Sequence, residues 1–367
     1  MNTDEHAARL DKLQEEMAKT GVDLTAIAPT SNMRYLLGSS PLADERLCLL
    51  LVTPDGTRLV VPELNAEQVE ARTGLKGIRW TDDAGPEQAL AQGLDELDLD
   101  RPSVLAADAA MRADVLLGLQ EAALPERCVS AANLMAKLRV CKSESELEAL
   151  ARAAALADRA MIVGVEACRP GVTERQIAET IARHFREEGA EMVDFTLVAS
   201  GANSGFPHHE AGDRQLQMGD TIVIDIGATL DGYKSDVTRV VHLGEPSSEL
   251  RTVYETVLEA NRRGREAARA GARACDVDRA ARSVIEDAGY GPYFVHRTGH
   301  GLGMDVHEEP WISATSTTVL QPGMVFSVEP GIYLTGRFGV RIEDIVAVTD
   351  GECRCLTGLD HDLFVRV

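Results

Sequence analysis

The chain has 367 residues, of which 44% are hydrophobic and only 4% aromatic, and a formal net charge of −22 at pH 7. That length suits two aliphatic-cored domains, and the charge argues against nucleic acid or an anionic membrane surface as a partner. Seven cysteines without framework spacing, and a start with no apolar signal segment, lead to the expectation of a reducing, cytoplasmic setting.

Residues 1–132 read as alternating helix and strand. A helix is expected from Glu5 to Thr20, with strands at Leu24–Ala28, Leu47–Val52, Thr57–Val61 and Ser103–Ala107. Thr53-Pro54-Asp55-Gly56 is a hairpin signal between two of them. This is a small α/β domain with no catalytic constellation of its own. The longest apolar stretch, Leu47–Val52, is far too short to span a bilayer. Residues 133–367 form the second domain. Ser143–Leu147 opens a long helix through a capping box, Arg169–Val172 breaks it, and Thr173 caps the next. Further helices at Glu249–Ala270 and Asp276–Gly289 alternate with strands, giving an α+β domain over a curved antiparallel sheet. No sequence repeat appears.

Two β-branched runs, Thr221–Leu230 and Tyr233–Leu243, flank Asp231-Gly232. A type I′ turn at that dipeptide places Leu230 opposite Tyr233 and Asp225 opposite Thr238, with Asp236 diagonal to Asp225 on one face. A second acidic pair follows: Glu329 ends Gly323–Glu329, and Glu343 lies within Gly339–Val348. An acid inside an apolar strand is costly unless it is paired or binds a metal. His300 is framed by Gly299, Gly301 and Gly303, which allow close backbone approach. Together Asp225, Asp236, His300, Glu329 and Glu343 suffice for two divalent cations, whose charge nearly cancels the formal −4 of the carboxylates and leaves enough to acidify water. His208 and His307 sit in turn-like settings and are expected to line the same pocket, and His296 is a candidate partner of His300. Cys353 and Cys355 are read as strand residues rather than a metal pair.

These segments, H-R-T-G-H-G-L-G, V-E-P-G and R-I-E-D preceded by D-I-G and S-D-V-T-R, resemble the pita-bread metallopeptidases. Within them the match is nearest to Xaa-Pro dipeptidase (prolidase) and aminopeptidase P. The resemblance covers about the last 230 residues strongly and the first 130 loosely. It implies a creatinase/prolidase-like α/β domain followed by a pita-bread domain of the creatinase and methionine aminopeptidase type. It also implies a homodimer and two divalent ions, Mn²⁺ or Co²⁺ and sometimes Zn²⁺. Asp225 would then chelate one ion, His300 and Glu329 the other, and Asp236 and Glu343 would bridge. His208 and His307 would steady the substrate carbonyl and the tetrahedral intermediate, and Glu329 would shuttle the proton. The implied reaction is hydrolysis of the Xaa-Pro bond of small proline-containing peptides, above all dipeptides, by water or hydroxide shared between the ions. Removal of the first residue from Xaa-Pro-Yaa peptides is the alternative. The intact ligand set speaks against a metal-free creatinase-like activity and against a non-catalytic pita-bread protein. In the prolidase pattern an arginine often follows H-E-x-P, but here Trp311 stands there. A dipeptide carboxylate would therefore need another cation, either Arg341 or Arg46 at the end of the polar loop Gly38–Arg46. Tyr233 and Trp311 complete the substrate-binding candidates.

Overall fold

Apolar strands and short punctuated turns divide the chain after Arg139 into two units. A computed structural model describes residues 3–366. The first unit runs α1 (Thr3–Thr20), β1 (Leu24–Ile27), α2 (Ser31–Leu37), β2 (Leu49–Thr53), β3 (Gly56–Pro62), α3 (Glu63–Thr73), β4 (Gly77–Trp80), α4 (Glu87–Asp95), β5 (Val104–Ala107), α5 (Ala113–Ala123), β6 (Arg127–Ser130) and α6 (Ala132–Arg139). Its sheet has the order β4-β3-β2-β1-β5-β6. The central strands β1 and β2 are buried along their whole length, as expected of near-continuous apolar runs covered on both faces. Thr53 pairs with Gly56 across the hairpin read from the sequence. Helix α2 was not foreseen; its devices are local, with Thr30 accepting from the Asn32 N–H and Gly38 ending the helix in a left-handed conformation.

The boundary placed after residue 132 is seven residues early. Leu134, Met135 and Leu138 of α6 are buried, the Tyr35 hydroxyl donates to the Leu138 carbonyl at 2.9 Å, and Arg139 donates to Ser31 Oγ at 3.0 Å and Asn32 Oδ1 at 2.6 Å. Tertiary contacts of this kind are invisible to segment-by-segment reading, and they assign 133–139 to the first unit.

The second unit runs α7 (Glu144–Ala167), α8 (Glu174–Glu187), β7 (Met192–Ser200), β8 (Thr221–Leu230), β9 (Tyr233–Lys234), β10 (Val237–Leu243), α9 (Ser248–Ala267), α10 (Ala274–Asp287), β11 (Gly299–Gly301), β12 (Glu308–Ile312), β13 (Val325–Val328), β14 (Gly331–Leu334), β15 (Phe338–Arg341), β16 (Asp344–Ala347), β17 (Arg354–Cys355) and β18 (Phe364–Arg366). The capping boxes at Ser143 and Thr173 are both present. Two larger sheets have the orders β18-β10-β8-β7, with β9 beside β8, and β12-β11-β13-β16-β17; β14 and β15 form a separate pair. Ala157, Met161, Ile177 and Ile181 of α7 and α8 pack on Ile222, Ile224 and Ile226 of β8. Val253, Val257 and Ile285 of α9 and α10 cover Ile332, Val340 and Ile342.

Although no sequence repeat was seen, the backbone is duplicated. The helix break between Ala167 and Glu174 recurs between Ala267 and Ala274, and the isolated bridges Thr173–Gln215 and Arg273–Val319 follow the same plan. No helix among the described residues is long and apolar enough to cross a membrane. The seven cysteines, all among the described residues, form no disulfide.

Candidate metal centre and active site

The first acidic pair depends on turn chemistry. Asp231 and Gly232 both take positive φ, 52° and 83°, as a type I′ turn requires. Leu230 pairs with Tyr233 and Asp225 with Thr238, as read from the sequence. The ladder is interrupted at Ser235-Asp236, where Ser235 Oγ and N–H bond the Ala228 backbone instead. Opposite this interruption, a Cβ on Gly227 would lie 2.5 Å from the Ser235 carbonyl and from the Phe195 ring. Only glycine lets the strands close there and turn Asp236 towards Asp225.

His300 lies on β11 between β12 and β13. A Cβ at Gly299 would fall 1.8 Å from the Ser327 carbonyl oxygen. The His300 N–H donates to Ser327 Oγ at 3.0 Å, and its Nδ1 faces the Gly301 carbonyl at 3.2 Å. In the neutral ring a proton on Nδ1 would leave the Nε2 lone pair to hold a cation, whereas the protonated ring donates from Nε2 to Glu329. Nε2 is 3.2 Å from Glu329 Oε1 and 3.7 Å from Asp236 Oδ2. Glu343 sits in the short link between β15 and β16. Its N–H donates to the Thr238 carbonyl, and its carboxylate accepts from Thr238 Oγ1 at 2.7 Å. Buried Arg239 fixes that link by donating to the Glu343 carbonyl at 2.6 Å and the Asp344 carboxylate at 2.8 Å. Ligand atoms of Asp236, His300 and Glu343 all lie within 4.8 Å of one another. With Asp225, Glu329, His208 and His307 they line one cavity of about 700 Å³.

The cavity concentrates negative charge in a buried place. Arg341 donates to Asp225 Oδ2 at 2.6 Å, Thr238 Oγ1 at 3.1 Å, the Tyr333 hydroxyl at 2.8 Å and the Pro207 carbonyl at 3.2 Å. Burial opposes its charge, but Tyr333, Asp225, Glu329 and Glu343 hold the guanidinium firmly protonated. Burial, and then the charges of the neighbouring acids, push Asp236 and Glu343 well above the ordinary carboxylate range, and Asp225 is raised as well. Glu329 goes the other way: burial would raise it, but the hydrogen bond and charge of His300, helped by His296 and Arg341, bring it down to about 2. Asp225 Oδ1 is buried without a hydrogen-bond partner. Four acids, with Arg341 as the one guanidinium that bonds any of them, and an orphaned carboxylate oxygen fit a site completed by divalent cations. The oxygen-rich donor set with one imidazole suits Mn²⁺, Co²⁺ or Zn²⁺ better than a soft ion.

The His307 ring stands edge-on to His300 with centroids 4.2 Å apart. Burial, then His300 and Arg297, lower it to about 4, so at neutral pH it is an uncharged imidazole able to donate one hydrogen bond. Among the described residues His296 makes no hydrogen bond to His300. Its Nε2 meets the Tyr333 hydroxyl at 2.9 Å and its Nδ1 the Arg297 carbonyl at 2.7 Å, tying the cavity wall to Arg341. His208 is exposed at the cavity rim, on a segment anchored by Glu174. That fully buried carboxylate accepts from Ser200 N–H and Oγ, Asn203 Nδ2 and Gly212 N–H, and faces His209 Nε2 at 2.9 Å. Burial raises its pKa, but these donors outweigh it and the net shift is downward. Glu174→Ala should therefore cost about 3–5 kcal/mol of stability at pH 7. Because the folded-state pKa is depressed, that contribution is present above the unfolded pKa and fades as pH falls through the folded one. Urea denaturation of wild type and variant at neutral and acid pH would check it, and an equal gap at both would refute the charged-acceptor role.

Several expected substrate contacts are placed elsewhere. Tyr233 is fully buried beneath α7, with its hydroxyl donating to Glu146 Oε1 at 3.0 Å, and it does not line the cavity. Arg46 belongs to the first unit, where it bonds both Asp82 oxygens at 2.9 Å and Glu45 at 2.9 Å. Arg341 lines the cavity but is engaged by Asp225. Trp311 lies opposite His300 and carries the Arg297 guanidinium over its ring. Sequence reading missed Arg297, Asp194, Phe195 and Leu197 of the cavity wall. The last three lie on β7, whose run Met192–Ser200 is strand-like but was passed over. Arg297 had no signal, because its importance depends on β11–β12 pairing.

Residues 148–350 match metallopeptidase family M24, and residues 9–141 match the creatinase/prolidase N-terminal domain. The chain is 40% identical to the probable dipeptidase PepE of Mycobacterium tuberculosis over 98% of this chain and 96% of that protein. It is 34% identical to an Xaa-Pro dipeptidase of Pyrococcus furiosus, over 97% and 99%. The crystal structure of a recombinant prolidase from Thermococcus sibiricus superposes with a TM-score of 0.94 at 37% identity, covering all of both chains.

Proposed function

We propose, from the premise that this chain belongs to metallopeptidase family M24 and has that family's pita-bread catalytic domain behind a creatinase-like N-terminal domain, that it hydrolyses the Xaa-Pro bond of dipeptides. The family implies a dinuclear metal site, and we assign it to Asp225, Asp236, His300, Glu329 and Glu343. The observation that carries this reading is the convergence of these five side chains on one cavity. Support for the dipeptide substrate comes from the similarity to the Xaa-Pro dipeptidase and PepE. When bound, the two cations would acidify a water and polarise the scissile carbonyl.

The chain's own groups supply the rest. His307, uncharged at neutral pH, and His208 at the rim are placed to donate hydrogen bonds to the oxygen that becomes negative at the tetrahedral stage. Glu329 accepts the proton released by the nucleophile. An Xaa-Pro bond is a tertiary amide whose nitrogen must be protonated to depart, so Glu329 returns that proton to the proline nitrogen. Ser327 Oγ, 3.0 Å from Glu329 Oε1, keeps the carboxylate aimed. Arg341 orients Asp225 and opposes the upward push of burial on its carboxyl.

The test is kcat/KM with Mn²⁺ for an Ala-Pro dipeptide, an Ala-Pro-Yaa tripeptide and an Ala-Ala dipeptide. The dipeptide with proline should lead by at least an order of magnitude. Faster tripeptide cleavage would make the protein an Xaa-Pro aminopeptidase, and equal rates on Ala-Ala would remove the proline requirement.

A further inference from the structure

We infer that Arg297, seated on Trp311, is the residue that binds the C-terminal carboxylate of the substrate. This rests on the dipeptidase reading above. Arg297 lines the catalytic cavity, and its guanidinium carbon lies 4.3 Å from the centroid of the Trp311 ring. Its only hydrogen bond among the described residues is through its own carbonyl, which accepts from His296 Nδ1; the guanidinium has no acidic partner there. The other cationic candidates are spoken for. Arg341 is held by Asp225, Thr238, Tyr333 and Pro207, and Arg46 by Asp82 and Glu45. Arg297 is thus the cavity arginine with its N–H groups uncommitted.

The sheet explains how it is held. Trp311 on β12 pairs with His300 on β11, and opposite residues of an antiparallel pair project from the same face. The indole therefore rises on the His300 side and forms a floor under Arg297. A guanidinium over an aromatic face gives up one flat side to the ring, while its N–H groups stay in its own plane. That is the arrangement in which a guanidinium can meet a carboxylate with two parallel hydrogen bonds. The tether is short, since Arg297 is three residues before His300, so carboxylate and scissile bond would be held by one strand and its approach. A free carboxylate one residue beyond the cleaved bond is what distinguishes a dipeptide from a longer peptide or an amide. This pair makes the preference a property of β11 and β12.

The experiment compares wild type, Arg297→Gln and Arg297→Lys on Ala-Pro and on Ala-Pro amide, which lacks the charge. Arg297→Gln should lower kcat/KM on Ala-Pro by roughly 30- to 1,000-fold, mostly through KM, and leave the amide within a few-fold. Arg297→Lys should recover part of the loss, and Trp311→Leu should weaken the dipeptide selectively. Calorimetry with proline and prolinamide on metal-loaded protein reads the same contrast without turnover, with Arg297→Gln losing the proline advantage. If wild type cleaves neither substrate the dipeptidase reading fails, and the calorimetry still decides the carboxylate contact. Equal losses on acid and amide, or no loss on either, would overturn the inference.

Discussion

Replacing Glu343 by alanine should abolish hydrolysis, by more than about three orders of magnitude, and remove bound metal from the chain. The carboxylate lies with Asp236 and His300 inside a 4.8 Å cluster of ligand atoms, and it accepts a hydrogen bond from Thr238 Oγ1. Asp236→Ala should behave alike, since both are assigned as the ligands shared by the ions. The fold should survive in each case. The Glu343 backbone remains fixed by Arg239 and the Thr238 carbonyl, and deleting one of several buried acids relieves the repulsion among those that remain. Cys353→Ala is the matched control: its thiol only donates to the Arg265 carbonyl, so metal content and rate should be unchanged. Elemental analysis and a dipeptide assay on the same samples decide it. Normal metal content in both acid variants would refute the ligand assignment.

The second large effect is expected at the histidines. His307→Ala and His208→Ala should each lower kcat by roughly two to three orders of magnitude, the loss typical of one donor to a developing oxyanion, while metal content stays at the wild-type level. His307 is edge-on to the ligand His300, which raises a competing possibility that it supports the ligand. Loss of metal from His307→Ala, with activity restored at saturating metal, would assign it that supporting role. Among the described residues His208 has no ring contact with His300, so its variant should show a pure rate effect. His209→Ala gives the comparison next door: it should reduce stability through Glu174 and leave kcat nearly intact.

What could be read from the sequence was what is encoded locally. Asp231-Gly232 fixed the register that brings Asp225 and Asp236 together, because a type I′ turn is specified by two residues. The capping boxes at Ser143 and Thr173 were legible for the same reason. The acids in apolar strands stood out because each contradicts its surroundings. What escaped depended on distant partners. Tyr233 is a substrate-binding candidate in the sequence, but α7 covers it and Glu146 takes its hydroxyl. Glu174, acidic at the first turn of a helix, looks like an ordinary dipole-favoured residue, and only folding brings Ser200, Asn203 and Gly212 to it. Trp311 was noticed as a departure from a pattern, yet its use as a floor for Arg297 needs the β11–β12 pairing. Helix α6 lies at a boundary that only packing settles.

Stoichiometric metal return tests most directly whether the cavity works as a two-ion peptidase site. Protein stripped with chelator and titrated with Mn²⁺ should regain Ala-Pro hydrolysis as metal approaches two ions per chain, with no gain beyond that ratio. Full activity in the stripped protein, or recovery complete at one ion per chain, would contradict it.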